Sequence, residues 1–245
     1  MKTKKVRYVR SVVSYLDILG FRELIETRSA GEISRILRIL AESVRPNPIF
    51  KAEKIQFTKF SDTVIRSIPV GANLRVHFTF ELRSILGAQI ALIQKGILIR
   101  GAVTIDDVVQ SWGIVYGPAV VKAYGLESQP GAPPRIVVDR ESLATLEPET
   151  NEGETESMLR SLIGTEGSTT YIDYLRACED EFDVPEQEYP AFLTKHRDLV
   201  RRGLITYRNQ PGILPKYEWL KTYHDHRIEA LSETYGGGAT RHLKI

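Results

Sequence analysis

The sequence predicts an α+β fold, on three observations. Short β-branched apolar runs read as strands, longer segments repeat apolar residues at helical spacing, and two of the strands meet at a tight turn between two helices. Strict strand-helix alternation would point to a doubly wound sheet. The order found here, β-α-β-β-α-β-α-β, points instead to a ferredoxin-like βαββαβ core.

The first strand is expected over residues 12–19 (VVSYLDIL), closed by Gly20 and carrying one acid, Asp17. Ile33, Leu37, Leu40 and Val44 then share a helix face, and Pro46 with Pro48 ends that helix. Residues 55–60 and 63–68 read as strands joined through Ser61-Asp62, a pair with turn chemistry, so Asp62 sits at a hairpin tip. Leu74, Phe78, Leu82, Leu86, Ile90 and Ile93 mark a long amphipathic helix stopped by Gly96, and residues 97–105 form the next strand. Gly117-Pro118 opens a helix to about Ser128, with proline at the first helical position, where its missing N–H costs nothing. Residues 135–138 add a strand, and residues 1–146 make up the expected core. Residues 147–168 open on a glutamate-rich, apolar-poor run and read as an acidic exposed loop. Residues 169–245 are expected to pack on the core as a strand at 169–174 and helices at 189–202 and 215–235, with Gly236 to Gly238 releasing a tail. No internal repeat is found.

The 245 residues are 42% hydrophobic and 26% charged, which excludes a disordered or low-complexity chain. Thirty-three basic residues face 31 acidic ones for a net charge of +2, so neither a nucleic-acid nor a membrane partner is expected. Cys178 is the only cysteine, which rules out an intrachain disulfide and a cysteine-based zinc site and suits a reducing cytoplasm. No apolar run reaches the roughly 18 residues of a membrane span, and the stretch that follows basic residues 1–10 ends at Asp17, too soon for a signal peptide.

The strongest chemical signal is the pair of acids on neighbouring strand ends. Asp17 and Asp62 can hold two Mg²⁺ ions between them, since this hard ion takes one or two carboxylates and completes its shell with phosphate and water. Taken singly, Asp17 can merely cap a turn and Asp62 be an ordinary turn aspartate. Together they favour the metal, because Leu16, Ile18, Leu19 and Phe21 surround Asp17 and a buried carboxylate needs a partner. The backbone through Gly20 and Phe21 can also offer N–H groups to phosphate oxygens.

YLDILGF at 15–21, FSDTV at 60–64, LIRGAVT at 98–104, and GPAVVKAYGLES at 117–128 followed by PRIVVD resemble the catalytic domain of class III nucleotidyl cyclases. RGAVT, KAYGLE, PRIVVD and the late KYEWLKTYH at 216–224 are most similar to the bacterial pyrimidine cyclases of the Pycsar anti-phage system, and extend the resemblance over nearly the whole chain. The resemblance implies a class III cyclase-like fold with a C-terminal strand and helical extension. It also implies two Mg²⁺ or Mn²⁺ ions held by Asp17, the Ile18 carbonyl and Asp62, and a homodimer with its sites at the interface. The expected reaction turns UTP or CTP into cUMP or cCMP and pyrophosphate in the cytoplasm, with a separate effector reading the product as an antiviral signal.

Two departures matter. Thr58 and Ile114 fall where purine cyclases read their base, so neither purine is favoured; a register error would instead put Lys59 in the pocket. Val121 and Gly125 fall where the family places its transition-state asparagine and arginine, and neither has a side-chain donor. Lys122 and Arg100 are the candidate replacements, or the domain is an inactive nucleotide-sensing module. Lys122 can equally be a solvated helix-face lysine. Arg100, flanked by Ile97, Leu98, Ile99 and Ala102, must find an anion, a carbonyl or an aromatic face, substrate being one candidate. Phe60 is expected to narrow the base pocket beside Thr58. His196, His224 and His226 are expected in surface or packing roles, and Tyr217, Trp219 and Tyr223 to pack the last helix on the sheet.

Overall fold

The computed structural model describes residues 6–44, 55–71, 73–111, 113–129, 132–146, 153–235 and 241–245. The chain order is β1 (Val9–Ile18), α1 (Phe21–Thr27), α2 (Ala30–Ser43), β2 (Gln56–Phe60), β3 (Thr63–Pro69), α3 (Leu74–Ile93), β4 (Ile99–Ser111), β5 (Ile114–Tyr116), α4 (Pro118–Glu127) and β6 (Ile136–Val138). It continues as α5 (Arg140–Ala144), α6 (Glu154–Leu162), β7 (Ile163–Glu166), β8 (Thr169–Ile172), α7 (Tyr174–Ala177), α8 (Pro185–Thr206) and α9 (Leu214–Tyr235), with 3₁₀ turns at Cys178–Glu181 and Arg241–Leu243. The strands form one sheet in the order β2-β3-β1-β4-β6-β8-β7, with β5 hairpinned onto the end of β4.

The segment β2-β3-β1-β4 is antiparallel throughout and has the ferredoxin-like order expected, so the α+β reading holds. Because side chains alternate along a strand, β1 sends Val12, Ser14, Leu16 and Ile18 to one face and Val13, Tyr15 and Asp17 to the other. The first face meets the main core, built with Phe78, Leu82, Ile85 and Leu86 of α3 and continuing into Leu193, Val200 and Leu220 of the C-terminal helices. The second face has a small core, Val13 and Val108 under Ala119 of α4. At Gly101 the strands approach so closely that a Cβ would lie 2.1 Å from the Tyr15 carbonyl oxygen, so only glycine lets β4 pair beside Asp17.

The helix α3 has the length and apolar composition of a membrane span, but ten of its residues are buried in the fold. One of them is Glu81, which accepts hydrogen bonds from Ser14 of β1 at 2.6 Å and Arg66 of β3 at 2.7 Å. This ion pair fastens the helix to the sheet.

Residues 147–168 depart from expectation. From Gly153 onward they form α6 and β7 and not an exposed loop: Leu159 and Leu162 are buried, and β7 adds an edge strand to β8. Glu154 faces solvent while Glu156 pairs with Arg75 of α3, and both lie in the first turn of α6, where the helix dipole favours acids. Residues 147–152 lie outside the described residues, as do Pro46, Pro48 and Gly236 to Gly238. The expected strand at 169–174 stops at Ile172, because Tyr174 begins α7, and the helix expected from residue 189 begins at Pro185. His196 and His224 are packing residues, fully buried and stacked between α8 and α9, while His226 is exposed. Trp219 and Tyr223 pack on Tyr171 of β8 as expected, whereas Tyr217 stacks on Tyr207 of α8 instead of on the sheet.

Candidate active site

Both acids come together on the second sheet face. Asp17 is the next-to-last residue of β1, and the β3 ladder stops one residue before it at Leu16↔Val64, which leaves the end of β1 beside the β2–β3 turn. In that turn Phe60 pairs with Thr63, so Ser61 and Asp62 form a two-residue loop. Ser61 has φ +54°, the one positive φ of a non-glycine among the described residues, a strained geometry normally given to glycine. The Asp62 carboxyl faces that of Asp17 across the gap. Thr63 donates to Asp17 Oδ1 at 3.4 Å. Burial, and then the facing Asp17, push the Asp62 carboxyl up to about 6.

Two hard oxygen donors crowded so that the pKa of one is raised suit a divalent cation that would relieve the repulsion. Among the described residues no three His, Cys, Asp or Glu side chains are grouped to hold a metal unaided. An ion here would therefore complete its shell with substrate and water oxygens, which is the habit of Mg²⁺ and Mn²⁺ more than of zinc. The Ile18 side chain is buried in the main core, leaving only its backbone for such a role. Gly20, at φ +74°, turns the chain into α1, and the Phe21 side chain packs on the main core, so it too has only its backbone to offer.

Arg100 lies directly opposite Asp17 in the β1–β4 ladder and donates to its Oδ2 from Nη2 at 3.0 Å. Its Nε also lies 2.7 Å from Glu127 Oε1, off the line of its N–H bond, an ion pair with a carboxylate whose side chain is 3% exposed. Arg100 thus has internal carboxylates as partners, and burial raises the Glu127 pKa, with Arg100 opposing the shift. Lys122 is not brought to this group. It pairs with Asp139 at 2.8 Å and Glu141 at 2.6 Å, which answers its charge locally within one chain.

Thr58 stands on the same sheet face, in one row with Ile65, Tyr15 and Ala102. Its hydroxyl accepts from Gln110 Nε2 at 2.7 Å, while Gln110 Oε1 accepts from Ser67 at 2.6 Å. Gln110 belongs to β4 yet reaches β2 and β3, so the end of β4 curls over β1. Lys59 points to the opposite face, where its ammonium meets the Leu37 carbonyl at 3.4 Å, so Thr58 and not Lys59 lines the face. Phe60 is 82% exposed and Ile114, on β5, is 63% exposed, so in a single chain neither forms a pocket wall.

Sequence reading missed Glu127, Gln110 and Lys216. Glu127 and Lys216 lie within motifs quoted for the resemblance, but no spacing rule ties either to Asp17; folding alone brings them there. Val121, 72% exposed, and Gly125 line the outer side of α4.

No protein-family model matches the chain, and no curated protein matches it. Among solved structures it is similar to a bacterial light-regulated adenylyl cyclase, at 17% identity and TM-score 0.48, over 60% of this chain and 48% of that one. It is similar to the adenylyl cyclase CyaB from P. aeruginosa at 14% identity and TM-score 0.46, over 69% of this chain and 94% of that one. The monomeric guanylyl cyclase domain of the RhoGC fusion protein from the aquatic fungus Blastocladiella emersonii gives 17% identity and TM-score 0.45, over 69% and 98%. The chain spans about half, 48%, of the light-regulated cyclase it matches. With TM-scores below 0.5 these likenesses carry no inference about chemistry, which rests on the chain's own residues.

Proposed function

We propose that the chain is a nucleotidyl cyclase acting on UTP or CTP with Mg²⁺ or Mn²⁺. The observation that carries this is Asp17 facing Asp62 at the end of a sheet face that also presents Thr58 and Phe60. In the reaction the ribose 3′-oxygen attacks the α-phosphorus, the bond to the β-phosphate oxygen breaks, and cUMP or cCMP leaves with pyrophosphate. When bound, the two ions supply polarisation of the α-phosphate and of the attacking hydroxyl. Asp17 and Asp62 hold that charge in place. Arg100 orients Asp17 through the ladder pairing, and the Thr58–Gln110–Ser67 row offers the base a short polar edge where a fused second ring gains no partner.

The motifs RGAVT, KAYGLE, PRIVVD and KYEWLKTYH support a pyrimidine product that serves as a cytoplasmic anti-phage signal read by a separate effector. Exposed Phe60, Ile114, Val121 and Tyr124 support a homodimer that closes each site with a partner's α4. A second reading, an inert nucleotide-binding module, is favoured by one observation: Val121 and Gly125 place no donor on α4. Purified protein with Mn²⁺ and each of UTP, CTP, ATP and GTP, resolved by chromatography, tests both. Cyclic UMP or CMP is expected. Equal turnover of ATP or GTP overturns the pyrimidine assignment, and binding without turnover of any triphosphate overturns the enzyme.

A further inference from the structure

Lys216 opens the motif at the start of α9, and the fold gives it a setting that sequence does not. Its side chain is half-buried and within electrostatic reach of Arg100, Glu127 and Asp17. Among the described residues no carboxylate comes within ion-pair distance of its ammonium and no hydrogen bond to it forms. Burial first, and then the like charge of Arg100, lower its pKa. Glu127 and Asp17 oppose that shift from beyond ion-pair distance, so a half-buried ammonium with no direct partner gains from an arriving anion. Arg100 cannot be the free cation, because Asp17 and Glu127 already share its charge.

The start of α9 is also held firmly. Tyr217 stacks on Tyr207 with ring centroids 5.1 Å apart and lies against Gly203, where a Cβ would meet its ring at 2.0 Å. The Tyr207 hydroxyl lies close enough to Glu23 of α1, the helix that follows Asp17, to feel its charge. On the other side Trp219 stacks on Tyr223 and donates to Glu166 at 3.2 Å. Lys216 is therefore carried by a braced turn rather than by a loose loop.

We propose that Lys216 is a phosphate-binding residue of this site: it brings a cation from the C-terminal helices to the phosphates of the bound triphosphate, supplying charge that Val121 and Gly125 do not. The role rests on the cyclase reading above. It explains why α9 is fastened to α1, since a flexible lysine on a fixed turn can meet the phosphate chain without disturbing the Arg100–Asp17 pair.

The test uses the full chain and inorganic tripolyphosphate with Mg²⁺, titrated calorimetrically, beside turnover of the four nucleotides and thermal melts. Lys216→Met is expected to weaken tripolyphosphate binding about tenfold or more and to cut turnover by about a hundredfold, with an unchanged or higher Tm. Lys216→Arg should recover most of both losses, and Lys95→Met, at an exposed lysine, should alter neither. Wild-type protein that ignores tripolyphosphate at millimolar concentration, or Lys216→Met that binds it as wild type does, overturns the proposal. A Tm collapse in both Lys216→Met and Lys216→Gln with unchanged binding per folded molecule overturns it as well. Lys216-dependent binding without turnover of any nucleotide would retain the phosphate site and remove the cyclase reading.

Discussion

At Asp62 the proposed metal-binding role is set against stability. Its pKa rises from an ordinary 3.8 to about 6 in the fold, so between those values the folded state binds more protons than the unfolded state and stability falls as pH rises. Full stability is present below about pH 4 and is lost through about pH 6. In metal-free protein at pH 7.5, Asp62→Asn should therefore raise the Tm, by about 2–4 °C for about 1 kcal/mol once solvent screening of this half-exposed group is discounted. The same variant should lose at least about a hundredfold in turnover, equivalent to about 2.7 kcal/mol. Retention of more than a tenth of wild-type activity would sink the two-metal reading. Arg100 is the reverse case. Arg100→Ala takes from Asp17 and Glu127 their ion-pair partner, and a loss of about 2 kcal/mol in chemical denaturation is expected, recovered in good part by adding Glu127→Gln. The acids were legible from sequence because each breaks an apolar or turn pattern. Arg100 was legible only as a charge in need of a partner, since its partners lie 83 and 27 residues away along the chain.

At the scale of elements, periodicity located the β2–β3 hairpin, α3 and α9 because each has a strong pattern and sharp stops. It failed at α6, where glutamates dominate composition while two leucines decide the packing. It also failed at the far end of β4, whose curl depends on contacts with β2 and β3. The α3 clamp yields a direct test: Glu81→Leu strands Arg66 in the core, and a loss of about 3–5 kcal/mol is expected by urea denaturation. Between α8 and α9, His196 and His224 stack at 5.0 Å with Nδ1 atoms 3.0 Å apart, and Tyr174 and the Leu243 carbonyl take their outer nitrogens. Burial lowers both pKa values, His196 well below 6.5, so the unfolded chain takes up protons that the folded pair refuses. Stability is thus complete above about pH 6.5 and falls as pH drops, by up to about 2.7 kcal/mol per unit for two protons. Thermal melts from pH 7.5 to 5 should show this slope in wild type and lose it in His196→Gln/His224→Gln.

Across the whole molecule the two sheet faces are unequal. One is sealed by α3 and the C-terminal helices. The other carries α4 over a core of three buried residues, with Tyr124 set edge-on to Tyr15 and Val121 turned outward. A second copy covering that face is the homodimer proposed above. Val121→Asp/Tyr124→Asp should sediment as a monomer at micromolar concentration and lose turnover while keeping its Tm within a few degrees. Full activity in that monomer would remove the shared-site arrangement.

The bracing of α9 against α1 also has a consequence in time. The residues gathered around Asp17 are collected from along the chain as it is synthesised: the two acids early, Arg100 and Glu127 midway, and Lys216 only when α9 emerges. A nascent chain that has folded its sheet would already pair Asp17 with Arg100 and yet lack the cation that α9 delivers. The proposed activity would then appear abruptly, with the docking of one late helix, and not in proportion to the amount of sheet formed.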